Sequence, residues 1–191
     1  MAKRKPVQQQ RNIPATAIII GIIAVLFVGV LLYAVWDSTR PAPELGVAIP
    51  IAGREHISFG EKAVDHNSDP PTSGQHYDAP ASPGYYEVAP PDEQLVHSLE
   101  HGYVVAYFNC EADPDVDCDN LIAEIQEEIR GEAISRFTRT QKIIFAPRPS
   151  MDNLVTYTSW GRILEADEFD PNQMREYITL YLDDAPEPGA P

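Results

Sequence analysis

Between Ile13 and Trp36 the chain reads IPATAIIIGIIAVLFVGVLLYAVW, 24 residues without a single charge. At about 1.5 Å per residue such a run makes a helix about 36 Å long, enough to cross a hydrocarbon core of about 30 Å. Tyr33 and Trp36 stand at its far end, where amphipathic rings favour the membrane interface. Lys3, Arg4, Lys5 and Arg11 precede it. The competing reading is a cleaved signal peptide, but its apolar region runs about 7 to 15 residues and ends in small residues of the A-x-A kind. LLYAVWDSTR offers no such site. The reading is therefore an uncleaved anchor over 13–36. Residues 1–12 form a basic cytoplasmic tail, and everything after Asp37 lies outside the cytoplasm by the positive-inside rule.

The 191-residue length leaves room for this anchor and one domain of about 100 to 150 residues. Without the four basic residues of the tail, ten Lys and Arg face 29 Asp and Glu, a net charge of −19 on the external part. Nucleic acid is excluded as a partner, because phosphate binding needs a basic surface. The acidity serves solubility, or attracts cations; charge alone sets a field and not a site. Cys110 and Cys118, in NCEADPDVDCDN, fall on the oxidising side of the membrane, where a disulfide is the default. Asp113, Asp115 and Asp117 disfavour the alternative of two metal-binding thiolates.

Proline and glycine mark the divisions. Residues 37–50 read as a stalk and 184–191 as a disordered tail, leaving 51–183 as the domain. From Asp69 to Pro91 the sequence DPPTSGQHYDAPASPGYYEVAPP excludes helix interior and central strand, yet carries Tyr77, Tyr85 and Tyr86. It is expected to be ordered, irregular, and laid against the domain. YVVAYFN predicts a buried strand, and DNLIAEIQEEIRGEAISRF a helix capped by Asp119 or Asn120. KIIFAPRP and LVTYTSWGRILEA predict two more strands. DPNQMREYITLYL predicts a closing helix with Asp170 as cap and Pro171 in the first turn. The order is β-α-β-β-α, an α+β domain with three or four strands. A thioredoxin-like half fits this order, but no C-x-x-C is present for its chemistry.

All five histidines, His56, His66, His76, His97 and His101, lie within residues 56–101. PPDEQLVHSLEHG has the punctuation of a short helix: Pro91 in the first turn, acids at its positive end, and Gly102 for a left-handed stop. In a helix, Leu95, Val96 and Leu99 share one side and His97 and His101 the other. Residues i and i+4 then have Cβ atoms roughly 6 Å apart, close enough for two imidazoles to share an ion at about 2.0 to 2.1 Å. In a strand they would stand about 13 Å apart and could not. Imidazole suits copper or zinc. With the proline-rich segment across the polar face, the expected ligands are His76, His97 and His101, with His66 as a fourth and Glu100 standing behind them. The bland alternative is that the histidines bond backbone carbonyls and pin the loop.

H-S-L-E-H also spells the inverted zinc-peptidase pattern, with the histidines on zinc and the glutamate activating water. The short helix and small domain leave little room for a third ligand and a substrate cleft. Ser73, three residues before His76, reads as turn chemistry and not as a nucleophile. TSWGR reads as a strand-end tryptophan with a glycine bulge.

DPPTSGQHY, GYYE, VHSLEHGYVVAYF, TSWGR and the final PEP together resemble the domain of unknown function family 3105, found in membrane-anchored bacterial proteins. The resemblance covers roughly residues 50 to 188. The family pattern reads P-P-T-S-G-P-H, so Gln75 departs from it, a change expected to loosen the loop while keeping His76. The resemblance implies that His76, His97, Glu100, His101 and Gly102 belong to one feature, without saying what that feature does. The sequence thus leads to a single-pass protein whose external domain carries a candidate copper or zinc site. The alternatives are an accessory subunit of a membrane complex with purely structural histidines, and a zinc hydrolase.

Overall fold

The structure is a computed structural model describing residues 14–39 and 44–191. It comprises two units, residues 1–43 and 44–191. The basic tail of residues 1–12, the first residue of the expected span and stalk residues 40–43 lie outside the described residues. In the first unit, α1 runs from Ala15 to Ser38. Its stretch Thr16–Asp37 is long and apolar enough to cross a membrane. Its apolar side chains are exposed within the unit, from Ile18 to Trp36, as lipid-facing residues would be.

The second unit is a mixed six-stranded sheet with three helices. The elements are β1 (Val47–Ala48), β2 (Gly84–Tyr85), α2 (Asp92–Glu100), β3 (Val104–Phe108), α3 (Cys118–Glu128), β4 (Ile143–Pro147), β5 (Val155–Ser159), β6 (Arg162–Ala166) and α4 (Pro171–Tyr181). The sheet order is β1-β6-β5-β3-β4-β2. β3 runs parallel to β4 and antiparallel to β5.

Strand alternation divides the core. Val104, Ala106, Phe108, Ile143, Phe145, Val155 and Tyr157 face one side, against Leu121 and Ile125 of α3 and Met174, Tyr177, Ile178 and Tyr181 of α4. Val105, Tyr107, Ile144 and Ala146 face the other, against Leu95 and Leu99 of α2 together with Ala81, Tyr103 and Met151. Both faces are covered, which is why β3 reads as an unbroken apolar run. Leu95 and Leu99 are fully buried, each worth about 1.5 to 3 kcal/mol, and they fix the rotation of α2 about its axis.

The α+β class, the caps of α4 and the Cys110–Cys118 disulfide match the sequence reading. LVTYTSWGRILEA does not form a single strand. It is a β5–β6 hairpin turning at Trp160–Gly161, because Gly161 adopts φ +68°. The cap of α3 is Asp117, accepting from Asn120 N at 3.1 Å, and not Asp119 or Asn120. Residues 184–191, expected as a disordered tail, are fastened to the domain: Lys142 Nζ donates to the carbonyls of Pro188 at 3.0 Å and Ala190 at 2.7 Å. Pro and acidic composition concealed anchors that this segment receives from elsewhere.

Candidate metal centre

The HSLEH stretch is helical to Glu100, so the strand alternative falls away. Its end is a Schellman motif: Tyr103 N–H donates to Ser98 O at 3.0 Å and Gly102 N–H to Leu99 O at 2.9 Å, with Gly102 at φ +87°. With Leu95 and Leu99 in the core, His97 and Glu100 are turned toward the proline-rich segment. Tyr77 N–H donates to Glu93 O at 3.1 Å, and Ser98 Oγ accepts from Ala81 N at 2.9 Å. These bonds lay that segment along α2.

A second pairing brings up the remaining histidines. His76 N–H donates to Glu55 O at 3.1 Å and Ile57 N–H to His76 O at 2.8 Å, a parallel bridge between His56 and His76. Asn67 braces the turn, its Oδ1 accepting from Thr72 N and Ser73 N at 3.1 Å each. Ser73 Oγ accepts from Ala52 N at 3.0 Å, a tie between residues 21 apart that goes beyond the local turn expected from the sequence. Gln75 does not loosen the loop: its N–H donates to Asp65 Oδ1 at 2.7 Å, a bond that proline could not make.

The result is a group of His56, His76, His97 and Glu100 in which one potential ligand atom from each lies within 4.8 Å of all the others. His76, His97 and Glu100 are buried, and His56 is half exposed. His76 Nδ1 lies 2.7 Å from Gly74 O and His97 Nδ1 lies 2.6 Å from Tyr77 O. A carbonyl only accepts, so each Nδ1 carries the proton and each Nε2 is left as the free donor atom. His76 Nε2 then faces Glu100 Oε2 at 3.0 Å. His56 Nε2 is 3.8 Å from the same oxygen. Four donors about 2.0 to 2.1 Å from a tetrahedral ion sit about 3.3 Å apart, between these two distances.

The electrostatics suit a cation. Burial, and then the charge on His101, lowers His97 from 6.5 to about 4, so it is a neutral imidazole at pH 7. Burial raises Glu100, but the Arg54 hydrogen bond and the neighbouring His76 outweigh this and hold it below the ordinary carboxylate value. Arg54 Nε donates to Glu100 Oε1 at 2.5 Å and its terminal nitrogen to Glu187 Oε1 at 2.7 Å.

Of the four ligands expected from sequence, the structure brings together His76 and His97. His101 is the C-cap of α2; its Nδ1 donates to Pro191 O at 2.9 Å and its Nε2 lies 4.0 Å from Glu187 Oε2. Its ring stays beside His97, with centroids 4.4 Å apart, but it serves the C-terminal segment. His66 Nε2 donates to Gln75 O at 3.1 Å and lies outside the group. Glu100 stands among the candidate ligands and not behind them. His56 was missed: a bridge between residues 20 apart positions it, and no local pattern marks that.

Residues 56–191 match a family described as a protein of unknown function (DUF3105). Neither the curated proteins nor the solved structures contain a match.

Proposed function

The chain belongs to the DUF3105 family, whose description assigns no activity, and from that premise we propose that its domain is a transition-metal module for copper or zinc. His76, His97 and Glu100 form the fixed part of the site and His56 completes it. One observation carries the proposal. With Nδ1 committed to a carbonyl, His76 Nε2 and Glu100 Oε2 are two acceptors 3.0 Å apart in a buried site, and only a cation between them satisfies both. A bound ion supplies that charge; three imidazoles and one carboxylate are a donor set that suits zinc and copper. The alternative cation is a proton, which makes His76 an imidazolium and the cluster a structural ion pair, as the accessory-subunit reading requires.

The hydrolase reading finds less support. A general base needs a free carboxylate oxygen, whereas Glu100 Oε1 accepts from Arg54 Nε and Oε2 faces His76 Nε2 at 3.0 Å, where the proposed ion would take it as a ligand. The location proposed is the outer face of a membrane, with α1 as the anchor and residues 1–12 in the cytoplasm. The charge asymmetry of the sequence and the disulfide support this orientation.

The test is metal retention. The full chain in detergent, loaded with copper or zinc and desalted, should keep roughly one equivalent, as one four-ligand site requires. His76→Ala and His97→Ala should each abolish retention, while His101→Ala and His66→Ala should preserve it. If the wild-type chain keeps less than about a tenth of an equivalent, too little for a site of this ligand number, the cluster is the protonated ion pair.

A further inference from the structure

The four members of the metal group are not held alike. His76 is 0 % exposed and His97 4 % exposed, each locked by a 2.6–2.7 Å bond from Nδ1 to a carbonyl. Glu100 is 2 % exposed and clamped by Arg54. The His56 side chain is 51 % exposed, and among the described residues no hydrogen bond fixes its ring. What fixes His56 is its backbone, bridged to His76, and ring contacts: it stacks on His97 at 5.2 Å and meets His76 edge-on at 4.9 Å. A half-exposed ring without a hydrogen bond costs little to withdraw, because its rotamers are not locked and water is already beside it. Withdrawing any of the other three would break a buried hydrogen bond or strand a buried charge.

Resting on the metal-site reading above, we propose that His56 is the exchangeable ligand through which the ion enters and leaves, and that its place is taken by an external imidazole-class donor during transfer. The step is a ligand substitution. The bond to His56 Nε2 breaks as the bond to the incoming nitrogen forms, His56 departs as a neutral imidazole, and no electron moves. The imidazole class follows from the ring contacts that His56 makes, stacked on His97 and edge-on to His76, which an incoming imidazole can reproduce. The three buried ligands keep hold of the ion while the fourth changes, a division suited to passing a metal on and unsuited to a closed structural site.

The experiment uses the full chain in detergent loaded with Cu(II), with imidazole as the probe and the electron paramagnetic resonance spectrum and chelator-driven metal loss as readouts. His56→Gly should still bind the ion, at least about tenfold more weakly. Added imidazole should restore the wild-type spectrum to that variant, and should accelerate metal loss to a chelator from the wild-type chain in proportion to its concentration. A far-ultraviolet circular dichroism spectrum unchanged from wild type confirms that the variant is folded. The proposal is overturned if the variant binds as tightly as wild type, since His56 is then no ligand. It is equally overturned if the variant loses metal beyond rescue, or if imidazole leaves the wild-type rate unchanged. Failure of the wild-type chain to retain copper or zinc overturns the metal reading itself, a result distinct from these.

Discussion

Glu100 divides its carboxylate: Oε1 accepts from Arg54 and Oε2 faces His76 Nε2. Arg54 is therefore a positioning residue, and its half-exposed side chain can change without opening the core. Arg54→Gln should lower metal affinity about ten- to hundredfold, measured by competition with a chromogenic chelator, with the melting temperature of the metal-free protein little changed. Unaltered affinity would remove Arg54 from the account. Gly102 is constrained differently: at φ +87° a Cβ would stand 2.7 Å from Asp183 Cα. Gly102→Ala should cost at least about 2 kcal/mol in chemical denaturation, from the left-handed backbone and the clash together. At this scale the sequence was legible where chemistry is local. Gly102 followed from its place after an apolar-faced helix, and His97 from that helix's opposite side. For His101, four-residue spacing places two rings side by side without saying what each nitrogen meets; Pro191, 90 residues away, takes its Nδ1.

The helices and strands were readable wherever one face is apolar and the ends are marked, as for α4 with Asp170 and Pro171 or β3 with its continuous run. The β5–β6 hairpin was not, since only two residues, Trp160 and Gly161, separate two strands of similar character. The parallel bridge that delivers His56 lies within irregular backbone and has no periodicity to read. The junction of β3 and α3 is held covalently, by Cys110 and Cys118 across a separation of eight residues. The chain-entropy relation gives so short a loop about 2.5 kcal/mol. Cys110→Ala with Cys118→Ala should lose about that much in urea denaturation, while metal retention persists because both cysteines lie outside the histidine group. Loss of metal in a variant that remains folded would mean the cysteines belong to the site.

The whole molecule joins a membrane-compatible helix to an acidic domain with histidines gathered in one place, and its response to acid follows from them. In the metal-free protein His97 is lowered from 6.5 to about 4, so the unfolded chain binds more protons than the folded one between those values. Stability from this group is complete above about pH 6.5 and is lost as the pH falls towards 4, on the order of 3 kcal/mol in all. Glu100, lowered from 4.5, contributes in the same direction at the acid end. Melting temperatures of chelator-treated protein should accordingly drop by several degrees between pH 7 and pH 4.5, and bound metal should shift the drop to lower pH. A flat profile would contradict the buried neutral imidazole. That His56, His76, His97 and Glu100 surround one ion can be checked by X-ray absorption fine structure of the zinc-loaded full chain. The expected shell is four-coordinate, with three imidazole nitrogens and one carboxylate oxygen at about 2.0 to 2.2 Å. A shell with no imidazole signature, or one containing sulfur, would contradict it.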